Sequence, residues 1–174
     1  APYLLPKFSE EILSKYIKLA HNFNIEFNYL LNPSCMGNIE YNSSYRRELL
    51  NFVGLLISSG IDKVTVSIPF LFKLLKKYYP ELKIVASVIC EIDSVEKAVF
   101  YQDLGADRII LDYSLNRNFY ILEKIRKKVN VDLELILNDT CVLKCPVRNY
   151  HYNFISHLKE NLDNFDPFLE RCSL

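Results

Sequence analysis

The chain has no tryptophan, one methionine and only four glycines among its 174 residues. With glycine confined to Gly37, Gly54, Gly60 and Gly105, neither Gly-x-Gly-x-x-Gly nor a Walker loop can be written, which excludes the usual nucleotide-binding fingerprints. Net charge is also lacking. Lys plus Arg total 21 and Asp plus Glu total 21, so the balance recommends neither nucleic acid, an anionic membrane nor a polyanionic substrate, while leaving room for a local basic groove. The longest apolar runs, Phe52 to Ile57 and Val64 to Leu75, are broken by Gly, Ser, Pro or Lys well short of the ~20 residues a membrane span needs, and no span is expected. Ala1-Pro2-Tyr3-Leu4-Leu5-Pro6 offers no initiator Met and no basic or sustained apolar region of a signal peptide, so the chain reads as a piece of a longer one. Five cysteines are an odd set in a domain large enough to need no staples, which argues against a disulfide framework and for a reducing, cytoplasmic compartment. The zinc-protease pattern His-Glu-x-x-His is missing, and no Ser/His/Asp or Cys/His arrangement can be read from residue order.

What is present is a regular alternation of helix and strand in one domain spanning residues 1–174. Ser9 before Glu-Glu-Ile-Leu is a helix N-cap with an acidic first turn, and Ile12, Leu13, Tyr16 and Ile17 follow at helical spacing. The pattern predicts helices over 9–22, 45–59, 70–79, 94–104 and 116–128, and strands over 25–31, 63–68, 83–89, 108–111 and 132–137. Strands separated by single helices imply parallel pairing through right-handed crossovers. Gly60-Ile-Asp-Lys-Val and Gly105-Ala-Asp-Arg-Ile repeat one phrase, each between a helix end and a strand start. The expected class is α/β: a (β/α) TIM-type barrel, partial because five strands are found where a barrel has eight, with an open parallel sheet as the alternative. Residues 158–174 read as an irregular tail.

In such folds the working groups lie beyond the strand C-termini. Those positions hold Asn32, Ser34 and Cys35; Ser67; Ser87, Cys90 and Glu91; Asp112 and Ser114; and Asn138, Asp139, Thr140 and Cys141. Polar residues there also serve as helix caps and loop formers. Asp112 suits either a general base or substrate anchor, or a cap for the following helix. The densest stretch runs from Asn138 through Cys141, Cys145, Pro146 and Arg148 to His151. Two thiols four residues apart can reach one soft metal from a turn, and two buried structural cysteines would show the same spacing. Arg148 and His151, three apart, share a face if the segment is helical, where they could hold an anionic substrate. His21 and His157 read as surface residues of helices, and the scattered tyrosines as core edges rather than a base-stacking platform.

Glu134-Leu-Ile-Leu-Asn138-Asp-Thr-Cys141, the following Cys145-Pro146, and Gly105-Ala-Asp-Arg-Ile-Ile-Leu resemble the collagenase-like peptidase family of unknown catalytic type, family U32, over about Ser9 to His157. Asn138-Asp139-Thr140 stands where the commoner family pattern has a His-Gly-Ala-type segment. The resemblance implies a (β/α) barrel. It also implies a hydroxylation-type modification of RNA or a small molecule through a four-iron four-sulfur cluster, with zinc or no metal as alternatives. By the same resemblance Cys141, Cys145 and Cys172 are cluster ligands; Cys35 is a candidate fourth because it too follows a strand, and the rim position or spacing of Asn138, Arg148, His151 and Asp112 points them toward the substrate. A hydrolase or peptidase on the same scaffold and a non-enzymatic binding fragment are the rival readings; RNA, a peptide or a small molecule is the expected partner, and the rest of the barrel would lie outside this chain.

Overall fold

The structure is a computed structural model that describes residues 9–138 and 141–157. The expected tail at 158–174, with Cys172, and Asp139 and Thr140 lie outside the described residues. Eleven regular elements follow in order among the described residues: α1 (Glu10–Asn22), β1 (Asn28–Leu31), α2 (Ser43–Ser58), β2 (Lys63–Val66), α3 (Pro69–Tyr78), β3 (Lys83–Ala86), α4 (Val95–Asp103), β4 (Arg108–Ile110), α5 (Phe119–Lys128), β5 (Asp132–Glu134) and α6 (Arg148–Ser156). The five strands form one parallel sheet in the order β1-β2-β3-β4-β5. Every crossover therefore steps in the same direction. With right-handed connections this places the crossover helices on one face, the winding of a barrel segment, whereas a doubly wound sheet reverses direction at a switch point.

The strand ends fall short of the hydrophobic pattern for a physical reason. Val88–Cys90 and Tyr113–Leu115, apolar enough to prolong β3 and the helix that follows β4, instead close short 3₁₀ turns. Each is capped from the rim, by Ser87 Oγ accepting the Ile89 N–H (3.2 Å) and by Asp112 Oδ1 accepting the Ser114 N–H (2.9 Å). Helix α5 consequently starts at Phe119, with Asn118 as its cap. Ser9, Asn42 and Ser94 cap α1, α2 and α4 in the same way.

Central strands β2, β3 and β4 are buried beyond their first residues, as parallel strands covered on both faces must be, while β1 and β5 at the sheet edges are half-exposed. Leu71, Phe72 and Leu75 of α3 are fully shielded against this sheet, each contributing about 1.5–3 kcal/mol by burial.

The repeated Gly-x-Asp phrase has a structural role. Gly60 (φ +100°) and Gly105 (φ +103°) take the left-handed conformation that ends a helix. The aspartate two residues on then reaches sideways to the neighbouring strand: Asp62 Oδ2 accepts the Phe27 N–H (2.6 Å) and Asp107 Oδ2 the Ile84 N–H (2.8 Å). A side chain from the helix before seals each junction, His21 on Asp62 and Lys76 on Asp107, both at 2.8 Å. His21 is thus a structural partner rather than a bystander.

Candidate functional site

Helix α6 organises the rim. It follows the loop after β5 and makes contacts at both of its ends. At its first residue Arg148 turns inward. Its Nη1 donates to Asp112 Oδ2 (2.5 Å), its Nη2 points to the Val88 carbonyl (3.5 Å), and its Nε lies 3.6 Å from Glu91 Oε1. The guanidinium packs 4.5 Å from the Tyr113 ring centroid and 5.6 Å from that of Tyr152. Both members of the Arg148–Asp112 pair are nearly closed to solvent, with side chains 8% and 7% exposed. At the other end of α6, Ser156 Oγ accepts the Ser34 N–H (2.9 Å) and Asn153 Oδ1 accepts the Ser34 hydroxyl (2.8 Å). One helix therefore ties the loop after β1 to the ends of β3 and β4.

Electrostatics follow from this placement. Burial alone would push the Asp112 carboxyl up, but hydrogen bonds from Ser114 and the Arg148 charge outweigh it and hold the group below its ordinary value. Asp112 caps the 3₁₀ turn after β4 with one carboxylate oxygen and holds Arg148 with the other, while α5 itself is capped by Asn118. Burial, then a hydrogen bond with Cys141, push the Tyr113 phenol up, so it stays protonated and donates to the Val142 carbonyl (3.1 Å). That contact pins the cysteine-bearing loop to the end of β4.

Beside the ion pair is a cavity of about 290 Å³ whose walls include Glu91, Asp93, Asp112, Lys144, Cys145 and Arg148. Three of the sequence-predicted positions, Cys145, Arg148 and Asp112, therefore share one pocket. Arg148 and His151 do lie on one helix, as their spacing suggested. His151 is half-buried near Tyr152, with ring centroids 6.3 Å apart, and is not among the residues lining this cavity. Asn138 is exposed at the margin of the described segment.

Cys35, the fourth candidate thiol, sits at the far end of α6, hydrogen-bonded with His157 and accepting the Gly37 N–H (3.3 Å). The His157 contact, followed by the Gly37 N–H, holds its thiol below the ordinary value against a smaller opposing effect of burial. Sequence order could not reveal this pair, because its members meet only through the docking of α6. Cys90 is its opposite: burial pushes the thiol up to about 11, and it is directed at the Ser67 carbonyl (3.4 Å) as a small core residue.

Cys141 and Cys145 are half-buried and form no disulfide with another described cysteine, four residues apart across a turn closed by Cys145 N–H to the Val142 carbonyl (3.1 Å). This donor chemistry suits a soft metal or an iron–sulfur cluster. Among the described residues no group of three His, Cys, Asp or Glu side chains gathers as a metal site. The third thiol expected with this pair, Cys172, lies outside the described residues.

A rim site at the strand C-termini of a singly wound parallel sheet defines a (β/α)-type protein of the barrel class. The model of peptidase family U32 matches residues 5–163, and the chain belongs to this family. A Methanocaldococcus jannaschii relative described as "Uncharacterized protease MJ1657" is 32% identical over 164 residues, which cover 94% of this chain and 48% of the relative. A solved structure described as "The Structure of the U32 Peptidase Mk0906" superposes with a TM-score of 0.77 at 26% identity, over 94% of this chain and 66% of that one. The chain thus spans about half the length of the curated relative. Among the described residues no helix is long and apolar enough to cross a membrane.

Proposed function

We propose that this chain carries the rim site of a U32-type enzyme performing a hydroxylation-type modification of RNA or a small molecule, with an iron–sulfur cluster held by Cys141, Cys145 and Cys172. The observation that supports it is the shared pocket: Cys145 opens onto the same cavity as the buried Arg148–Asp112 pair. When bound, the cluster would supply electrons or an iron with an open coordination position. The chain's own residues do the positioning. Asp112 fixes the Arg148 guanidinium, which borders the cavity and would attract an anionic group of the substrate. Asn138 and His151 flank this pocket in sequence and complete the proposed substrate contacts. The Tyr113 hydroxyl holds the cysteine loop in place. The test is iron and acid-labile sulfide content in protein purified without oxygen. Iron and sulfide lost in Cys141→Ala and Cys145→Ala support the reading, and a folded, metal-free wild type overturns it.

A second reading, hydrolysis of a peptide or another acyl compound, is favoured by the Cys35–His157 pair and by the protease description of the relative. In it the Cys35 sulfur attacks a carbonyl carbon while His157 takes the thiol proton. His157 returns that proton to the departing amine, and water then cleaves the thioester to release the acid. Metal-free protein that hydrolyses peptides, and loses this activity in Cys35→Ala and His157→Ala but not in Cys141→Ala, would establish it in place of the first.

A further inference from the structure

Between them, α2 and α3 enclose a groove of about 690 Å³ that shares no lining residue with the rim pocket. Its walls carry Arg46 and Arg47 near the start of α2, and Lys73 and Lys77 one turn apart on α3. No carboxylate is among its lining residues, and none of these four cations joins an ion pair among the described residues. Among exposed lysines elsewhere, Lys15, Lys97 and Lys127 each pair with an acid one turn away, while Lys18, Lys124 and Lys128 join no ion pair among the described residues, so the distinguishing feature here is four such cations on one groove. In a chain with equal numbers of basic and acidic residues, four unneutralised cations on one groove are a local arrangement rather than a product of composition. Their mutual repulsion makes an anionic occupant favourable.

The floor identifies the kind of occupant. It is built from Leu50 and Leu74, half-buried aliphatic side chains, while Tyr79 is tied down by its hydroxyl donating to the Leu50 carbonyl (2.7 Å). Phe70 is likewise engaged, packed against Tyr41 with ring centroids 4.9 Å apart. Of the three rings on the groove two are thus committed to the protein, and Tyr78 is exposed with Lys77 Nζ 5.5 Å from its ring centroid; a single exposed ring falls short of the successive aromatic platform on which single strands stack. Apolar floor and basic walls are the complement of a helix with a leucine stripe flanked by carboxylates. Lys73 and Lys77 are about 6 Å apart along their helix axis, the rise between acids at positions i and i+4 of a partner helix.

We propose that the α2–α3 groove is a docking site for an acidic amphipathic helix of a partner polypeptide. The inference does not depend on the chemistry of the rim. The probe is a fluorescein-labelled helical peptide of three heptads with leucine at the a and d positions and glutamate at b, e and g, so that each e and the following b are four residues apart. Controls are the same peptide with lysine in place of glutamate and a single-stranded oligouridylate. Binding is read by fluorescence anisotropy with the wild-type chain, Arg46→Glu/Arg47→Glu and Lys73→Glu/Lys77→Glu. The glutamate peptide should bind, lose roughly tenfold in affinity in each double variant, and weaken as salt rises toward about 1 M. Circular dichroism melting should leave the variants folded, since Arg47, Lys73 and Lys77 are exposed and Arg46 only half-buried. Equal binding of the lysine peptide, glutamate-peptide binding that ignores both double variants, no binding at all, or binding of the oligouridylate in place of the peptide would each overturn the proposal.

Discussion

Replacing Asp112 by alanine strips the buried Arg148 guanidinium of its closest counter-ion. Breaking one side of a buried, hydrogen-bonded pair costs about 3–5 kcal/mol, because the remaining charge stays in a low-dielectric site. Glu91, 3.6 Å from Nε and 32% exposed, retains some compensation and moves the expectation toward the lower end, about 3 kcal/mol. Loss of the bond to the Ser114 N–H falls within the same change. For a chain of this size about 3 kcal/mol corresponds to a fall in Tm of about 6–12 °C, measured by differential scanning calorimetry. Asp112→Ala/Arg148→Met should recover part of the loss, since removing both charges leaves neither one stranded. A drop below about 2 °C for Asp112→Ala, or strictly additive losses in the double variant, would refute the claim that this pair staples α6 to the rim.

Three further outcomes follow from the same geometry. Asp107 and Asp112 are both held below their ordinary carboxyl values despite the opposing effect of burial, Asp107 mainly by Lys76 and the Ile84 N–H. Each therefore contributes stability that is complete above the unfolded value of about 3.9 and is lost as pH falls through the lower folded value. Thermal melts should weaken with acid in that window, and less steeply in Asp107→Asn. Gly105→Ala places a Cβ 2.8 Å from Lys76 Cγ at φ +103°, so urea titration should show about 1–2 kcal/mol lost, with the m-value unchanged. Iodoacetamide at neutral pH should label Cys35 well before Cys90 by peptide mass spectrometry; His157→Ala should slow Cys35, and equal rates for the two cysteines would contradict the pairing.

Much of the scaffold could be read from periodicity. Apolar positions at helical spacing identified α1 to α5, and the caps Ser9 and Ser94 and the turn at Gly60 stood where their chemistry required. Boundaries failed where apolar residues serve turns: Val88 and Ile89, read as the end of a strand, are folded by the Ser87 cap into a 3₁₀ turn, and the helix read from Asn116 starts at Phe119 behind its Asn118 cap. The site was legible in location, because strand C-termini fix a rim, and its contacts were not. Arg148 is buried because Asp112 and Glu91 meet it from other elements. His157 looked idle because Cys35, on the opposite side of the chain's linear order, meets it only when α6 docks on the β1 loop. Long-range pairing of this kind leaves no periodic trace.

The most direct test of the proposed centre is electron paramagnetic resonance of anaerobically purified, dithionite-reduced protein, comparing wild type with Cys141→Ser, Cys145→Ser, Cys172→Ser and Cys35→Ser. A reduced iron–sulfur signal that disappears with each of the first three substitutions and survives Cys35→Ser is the predicted result. A silent wild type with no iron, or a signal indifferent to Cys141 and Cys145, would contradict the iron–sulfur account and leave the Cys35–His157 pair as the better candidate for the chemistry of the rim.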